Sequence, residues 1–109
     1  MTETNTIKVY VPKAAAETTY HGDVTMMEKL KKRVSTKFGG FTEYQASGGW
    51  VNDKGELIEE NVFVLEVTTR ERERKCEVFA KANASWLARN TNEDTVMVMV
   101  NNERYFINN

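Results

Sequence analysis

The sequence has few of the residues that staple or interrupt a small protein: one cysteine, one proline and one histidine among 109 residues. A single cysteine excludes an internal disulfide, and Cys76 together with His21 supplies too few ligands for a structural zinc site. We therefore expect no metal and no other cofactor. Because a chain without disulfides suits a reducing compartment, the prediction is a cytoplasmic protein.

Long apolar runs are missing as well. No segment approaches the roughly 20 apolar residues that span a bilayer, and the first six residues are polar, unlike an export signal. We predict a soluble protein with no membrane contact and with disorder over residues 1–6. The 15 Lys and Arg nearly cancel the 16 Asp and Glu, which disfavours a protein that coats nucleic acid or an acidic membrane.

The remaining composition, 40% hydrophobic over 109 residues, is enough for one domain with its own core. Alternating apolar residues indicate strands, and apolar residues at helical spacing indicate two amphipathic helices. The predicted elements are a strand over 7–11, a helix over 26–38, strands over 41–51 and 57–68, a helix that ends near Asn90, and strands over 96–100 and 104–107. This order predicts a single α+β domain over 1–109 with the ferredoxin-like split β-α-β plan, βαββαβ plus a short C-terminal strand. Its antiparallel sheet carries two helices on one face.

Short motifs predict where the helices begin and end. Thr25 with Glu28, and Thr68 with Glu71, have the spacing of capping boxes at helix N-termini. Gly39 can adopt the left-handed conformation that ends the first helix. These signals separate each helix from the strand that precedes or follows it.

Other motifs predict the turns of the sheet. Asn52–Gly55 and Asn101–Asn102 have residue types that form tight hairpin turns. Gly48–Gly49 interrupts a strand and predicts a β-bulge.

Both faces of the predicted sheet are apolar. In the strand over 96–100 the valines point to one side, and Met97 and Met99 point to the other. Helices cover only one face in this plan, so another surface must cover the second face. We predict a homodimer packed sheet to sheet, with Tyr10, Met97 and Met99 at the interface. In the alternative, the terminal hairpin or the loop after Pro12 folds over that face.

His21 is the side chain that titrates nearest to neutral pH, and it lies in a polar stretch before the first helix. One hypothesis is a small hydrolase or isomerase in which His21 acts with a carboxylate, either Glu43 or Glu59. The simpler interpretation is a surface histidine, because no serine or cysteine nucleophile has a suitable spacing. Cys76 falls on the apolar side of the second helix and is predicted to be an inert core residue.

Arginines open the second helix, where unsatisfied N–H groups attract anions. Arg70 and Arg74 could therefore hold a phosphate or carboxylate. The competing interpretation is a solvated first turn with local ion pairs such as Glu71 with Lys75. Trp50 follows two glycines that would let a ligand or another backbone come close, so it is predicted either to bind a ligand or to anchor the core or the dimer.

Nucleic acid is a weaker hypothesis. The first helix has a basic face, but the sheet lacks a pair of aromatic residues spaced for base stacking, and the overall charge is balanced. A nucleic-acid partner is therefore not expected.

The pattern Phe38-Gly39-Gly40-Phe41-Thr42, then Gly-Gly-Trp50, a glycine turn and a Val-rich strand, resembles a group of small uncharacterised bacterial, archaeal and viral proteins. The resemblance covers about two thirds of the chain and implies a ferredoxin-like fold. It transfers no reaction to any residue.

The context of such proteins implies a binding module rather than an enzyme. We predict an accessory, counter-defence protein of a phage or mobile element, which would then act in the host cytoplasm. It would sequester a small anionic, nucleotide-type ligand or block a host protein. The predicted ligand-binding residues are Tyr20, His21, Trp50, Arg70 and Arg74.

Overall fold

The computed structural model describes residues 3–109, which form seven strands and three helices. In chain order these are β1 (Asn5–Pro12), α1 (Lys13–Ala16), β2 (Thr19–His21), β3 (Val24–Thr25), α2 (Met26–Phe38), β4 (Thr42–Val51), β5 (Leu57–Thr69), α3 (Glu73–Asn90), β6 (Thr95–Val100) and β7 (Glu103–Asn108).

Five strands form one antiparallel sheet in the order β4-β5-β1-β6-β7. The predicted fold class is confirmed. In this sheet β5 lies between β1 and β4, which precede and follow α2, and β1 lies between β5 and β6, which precede and follow α3. β7 adds the short fifth strand. The sequence analysis missed α1 and the two-stranded sheet of β2 and β3. These elements have two to four residues each, too few to show a helical or a strand period.

The core lies between one face of the sheet and the two long helices. Ile7, Val9 and Val11 of β1 face Leu30 of α2 and Leu87 of α3 across this layer, and all five are at most 2% exposed. Val96, Val98 and Val100 of β6 belong to the same cluster. Cys76 is fully buried within it, as predicted. No helix within residues 3–109 is long and apolar enough to cross a membrane.

One predicted helix cap is present and the other is not. Thr25 caps α2 by accepting a hydrogen bond from the Glu28 N–H (3.2 Å), and Gly39 ends the helix at φ +90°. Thr68 does not cap α3, because β5 runs on to Thr69 and Thr68 pairs with Thr6 in the sheet. The helix begins at Glu73, and its N-cap residue makes no side-chain cap.

The predicted bulge at Gly48–Gly49 is wrong, because β4 and β5 pair without a shift from Thr42–Glu66 to Val51–Leu57. A Cβ atom on Gly49 would lie 3.1 Å from the Ile58 carbonyl oxygen. Glycine therefore permits a close approach of two strands here rather than an extra residue.

The predicted disorder over residues 1–6 is wrong for Asn5 and Thr6, which belong to β1. Met1 and Thr2 lie outside the described residues. Asn101, in the β6–β7 turn, holds this end of β1. Its N–H donates to the Thr6 carbonyl (2.7 Å), its Oδ1 accepts from the Thr6 N–H (2.9 Å), and its Nδ2 donates to Asn5 Oδ1 and Glu73 Oε2 (3.0 Å each).

We expect Asn101→Gly to lower the free energy of unfolding by about 1–2 kcal/mol, because the side-chain hydrogen bonds are lost while φ +56° stays accessible. Asn101→Ala should cost roughly 1 kcal/mol more, since alanine resists the left-handed conformation. Urea unfolding monitored by circular dichroism measures both changes. Asn102→Ala, a neighbouring exposed site, is the control and should change little. Wild-type stability of Asn101→Gly would contradict the assigned role.

Candidate functional site

No described element of the chain packs over the second face of the sheet. The terminal hairpin β6–β7 widens the sheet instead of folding over it. The segment after Pro12 forms α1, which packs with α2 on the helix side. Both intrachain alternatives for covering this face are therefore wrong, and the homodimer stays a prediction.

We call this surface the open face. Tyr10 and Tyr44 flank Val64 on it in the paired register, which explains why Val64 is fully buried without a helix above it. Met97 and Phe106 continue the apolar surface on β6 and β7, where they pair with each other. Phe106 is 62% exposed.

A polar row crosses the open face beside these residues. The Tyr44 hydroxyl donates to Glu66 Oε1 (3.1 Å), and Lys8 Nζ lies 3.8 Å from the same oxygen. Burial, followed by the hydrogen bond to Glu66, raises the pKa of Tyr44. Glu66 therefore has both a hydrogen-bonding and a cationic partner on this face. The Tyr44 hydroxyl, Glu66 and Lys8 are thus partners of one another.

A cavity of about 400 Å³, which we call the sheet pocket, opens on the open face next to this row. Its walls are apolar and aromatic, from Tyr10, Val62, Met97 and Phe106, with Glu60 at one side. Gly48 and Gly49 complete the lining on β4.

Unequal strand lengths create the sheet pocket. The central strand β1 ends at Pro12, opposite Val62, while β4 and β5 continue to Val51 and Leu57 as a two-stranded ribbon. Gly48 pairs with Glu60 just beyond that point. The absence of side chains on β4 there leaves room for a ligand beside the ribbon.

Of the described residues that line the sheet pocket, the one that is charged is acidic. Glu60 is half-buried in its wall, and no Lys or Arg is among its lining residues. Burial raises the pKa of the nearby Glu93, and the charges of Glu60 and Asp94 raise it further. A cationic or neutral ligand is compatible with this wall, whereas an anionic one would be repelled.

The five residues predicted to bind a ligand do not share one pocket. Trp50, 50% exposed, pairs with Ile58 at the far end of the ribbon. Arg70 follows Thr69 at the other end of β5, about 40 Å from Ile58 at 3.3 Å per residue.

Tyr20, His21 and Arg74 lie on the helix side of the molecule. The Tyr20 ring packs 5.5 Å from that of Trp86 on α3, and His21 is exposed on β2. Arg74 lines a depression between α2 and α3. Ligand binding by each of the five residues stays a prediction.

The proposed catalytic partners are also apart. Glu43 forms an ion pair with Lys31 of α2 (2.9 Å), and Glu59 is exposed opposite Gly49. In the paired register of β4 and β5, the positions of Glu43 and Glu59 are about 20 Å apart along the strands. Within residues 3–109, His21 forms no hydrogen bond or ion pair with either of them, and no three His, Cys, Asp or Glu side chains gather to hold a metal.

Sequence reasoning missed Glu60 and Phe106 as parts of a pocket. The glycine pair was recognised as a place where a ligand could come close, but it was assigned to Trp50. Glycines 48 and 49 lie where β1 has ended. That coincidence depends on the register between strands that are far apart in the sequence.

Comparisons with known proteins give a match in structure but none in sequence. The sequence matches no protein-family model and no curated protein. In structure, the chain is similar to a phage SAM lyase solved in complex with S-methyl-5'-thioadenosine, with a TM-score of 0.66 and 14% sequence identity. The match covers 97% of this chain and 90% of that chain. This chain therefore has the fold of a phage protein that holds a small ligand.

Proposed function

We propose that this protein binds a small adenosine-type ligand that carries sulfur, either SAM (S-adenosylmethionine) or S-methyl-5'-thioadenosine. The observation that carries the proposal is the sheet pocket, an apolar cavity of about 400 Å³ with a carboxylate in its wall. It lies on a chain whose fold matches a phage SAM lyase over 97% of its length.

The lining of the sheet pocket supports this ligand class. The faces of Tyr10 and Phe106 and the thioether of Met97 suit a flat base and a soft sulfur atom. Glu60 suits a positive sulfonium, which it attracts through charge. A mostly apolar pocket with a few polar groups is typical of small-molecule sites.

The acidic wall changes the expected charge of the ligand. The sequence favoured an anionic, nucleotide-type ligand, whereas Glu60 and the nearby Glu93 favour a cation. SAM carries a net positive charge at neutral pH, and S-methyl-5'-thioadenosine is uncharged. Both are therefore better ligands for this pocket than a phosphorylated nucleotide.

Capture and cleavage are two versions of this function. Capture alone corresponds to the non-enzymatic module expected from the sequence, and cleavage would make the protein a lyase like its structural neighbour. Capture and cleavage would each deprive host enzymes of SAM. We propose this as the counter-defence role of the protein during phage infection. Blocking of a host protein stays a prediction.

The two versions separate in one experiment. The purified protein is incubated with SAM, and the products are followed by chromatography and mass spectrometry, while calorimetry measures binding of SAM and of S-methyl-5'-thioadenosine. Binding without product supports capture, and release of S-methyl-5'-thioadenosine supports cleavage. If the protein neither binds these compounds nor releases product, the proposed function is wrong.

Glu60→Gln should weaken SAM binding about tenfold and leave S-methyl-5'-thioadenosine within about twofold, because only SAM carries the charge that Glu60 attracts. Glu59→Gln is the matched control, since its side chain is exposed and points to the other face of β5. Calorimetry at pH 7 measures all the affinities. Equal losses for both ligands would contradict a charge-selective wall.

The homodimer remains part of the proposal. Phe106→Glu on the open face should convert a dimer into a monomer, because it places a charge in the apolar patch that a second copy would cover. Val78→Glu is the control, as Val78 is an equally apolar, 56% exposed residue on the helix side. Light scattering after size-exclusion chromatography gives the masses. A monomeric wild-type protein, or dissociation by Val78→Glu alone, would exclude the sheet-to-sheet dimer.

Glu93→Gln tests the negative potential near the pocket. Because the pKa of Glu93 is raised, the folded state binds this proton more tightly than the unfolded state does. The free energy of unfolding therefore falls as the pH rises from about 4.5 through the raised pKa of Glu93. At pH 7 the substitution removes an unfavourable charge and should raise Tm by about 1–3 °C. Below pH 4.5 it should give no gain. Calorimetric melting at both pH values checks this, with the exposed Glu103→Gln as control; a loss of stability at pH 7 would refute it.

A further inference from the structure

We propose a second ligand site, on the side of the molecule opposite the sheet pocket, that binds a nucleoside polyphosphate. It consists of two adjoining depressions between α2 and α3, of about 550 and 410 Å³, which we call the helix groove. Arg33, Lys37 and Phe79 line both depressions.

The helix groove concentrates positive charge on a chain whose net charge is −1. Lys29, Arg33 and Lys37 follow one another at four-residue spacing on α2, about 6 Å apart along its axis, and Arg74 faces them from α3. Among the described residues none of these four forms an ion pair, and neither depression is lined by Asp or Glu. Such a row attracts the adjacent negative groups of a polyphosphate.

Arg33 is held in place before any ligand binds. Its guanidinium carbon lies 4.4 Å from the centre of the Trp86 ring, and that ring packs against Tyr20. A cation stacked on an aromatic face loses less conformational entropy on binding an anion.

Asn83 supplies an independent indication of a ligand. It is 2% exposed, lies among the residues that line the groove, and donates its Nδ2 to the Phe79 carbonyl (2.9 Å). Its Oδ1 is the one buried side-chain polar atom within the described residues that lacks a hydrogen-bond partner. A buried acceptor without a donor is costly, and an N–H donor from a ligand would satisfy it once the side chains around Asn83 shift to admit the ligand.

These observations assign the two halves of the ligand. The phosphates lie on Arg33, Lys37 and Arg74. The base packs on the apolar floor of Val78 and Phe79 and directs its amine to Asn83 Oδ1. A bare phosphate chain would use only the cations, and a nucleic acid would use them mainly through its backbone.

The experiment uses Trp86 as its reporter. In a Trp50→Phe background Trp86 is the sole tryptophan, since the chain has two, and its stacking on Arg33 makes its emission sensitive to anions in the groove. ATP, tripolyphosphate and a thymidine oligonucleotide are titrated at about 50 mM and about 300 mM salt. We expect ATP to bind about tenfold more tightly than tripolyphosphate and to weaken at the higher salt.

Variants locate the site. Lys37→Ala with Arg74→Ala should weaken ATP binding at least about tenfold, whereas Lys13→Ala with Lys54→Ala, which removes the same charge elsewhere, should have little effect. Asn83→Ala should lower the affinity for ATP towards that for tripolyphosphate, the remainder being due to packing on Val78 and Phe79, and a melting curve checks that the variant is folded. Equal effects of the two double variants would overturn the site, as would an absence of ATP binding.

Two further arms separate the alternatives. Tighter binding of the thymidine oligonucleotide than of ATP would overturn the nucleotide in favour of a nucleic-acid backbone, because the oligonucleotide offers the cations a phosphodiester chain but no adenine. Excess S-methyl-5'-thioadenosine should leave ATP bound. If it displaces ATP, the nucleotide occupies the sheet pocket and the helix groove is not its site, whichever ligand the sheet pocket serves.

Discussion

Both faces of the sheet are apolar, but the helices cover only one of them. The rest of the structure depends on this difference between a covered and an uncovered apolar face. Side chains alternate along every strand, so each strand that buries valines under α2 and α3 must present its other residues to the open face. In β1 this puts Ile7 and Val9 in the core and Tyr10 outside it. Part of the open face is protected by its own side chains. Two tyrosines cover Val64, and Glu66 has its partners in Tyr44 and Lys8. What remains apolar is available to a ligand or to another copy.

The ends of the strands decide where that apolar surface becomes concave. β5 is longer than β1, so the sheet narrows from five strands to a two-stranded ribbon beyond Pro12. The sheet pocket forms at this step, with Glu60 in its wall. The helix groove arises differently, from cations repeated along α2 and met by Arg74 of α3. The sheet pocket is lined by a carboxylate and the helix groove by cations, so the two cavities favour ligands of opposite sign.

The sequence predicted the fold well because the signals are local and agree with one another. The capping by Thr25, the left-handed Gly39 and the Asn101 turn each act within a few residues, and the alternation of β6 shows that both faces are apolar. The site was harder to predict because pockets depend on register. The sequence contains Gly48 and Glu60, but their pairing beside the end of β1 is a tertiary fact. The same is true of Trp50 and Arg70, which sequence reasoning grouped and β5 separates.

The lack of a catalytic cluster at the sheet pocket does not decide between capture and cleavage. General acids and bases are needed where a poor leaving group must be protonated or a weak nucleophile activated. The sulfur of a sulfonium departs as a neutral thioether and needs no proton. The carboxylate of SAM can itself attack the carbon of its amino-acid chain that is bonded to sulfur, so that a C–O bond forms as the C–S bond breaks. A pocket that holds the cation in a reactive geometry could act through positioning and electrostatics alone. A carboxylate that binds the ground-state cation also opposes the loss of its charge, so strong stabilisation of SAM by Glu60 would favour capture over cleavage.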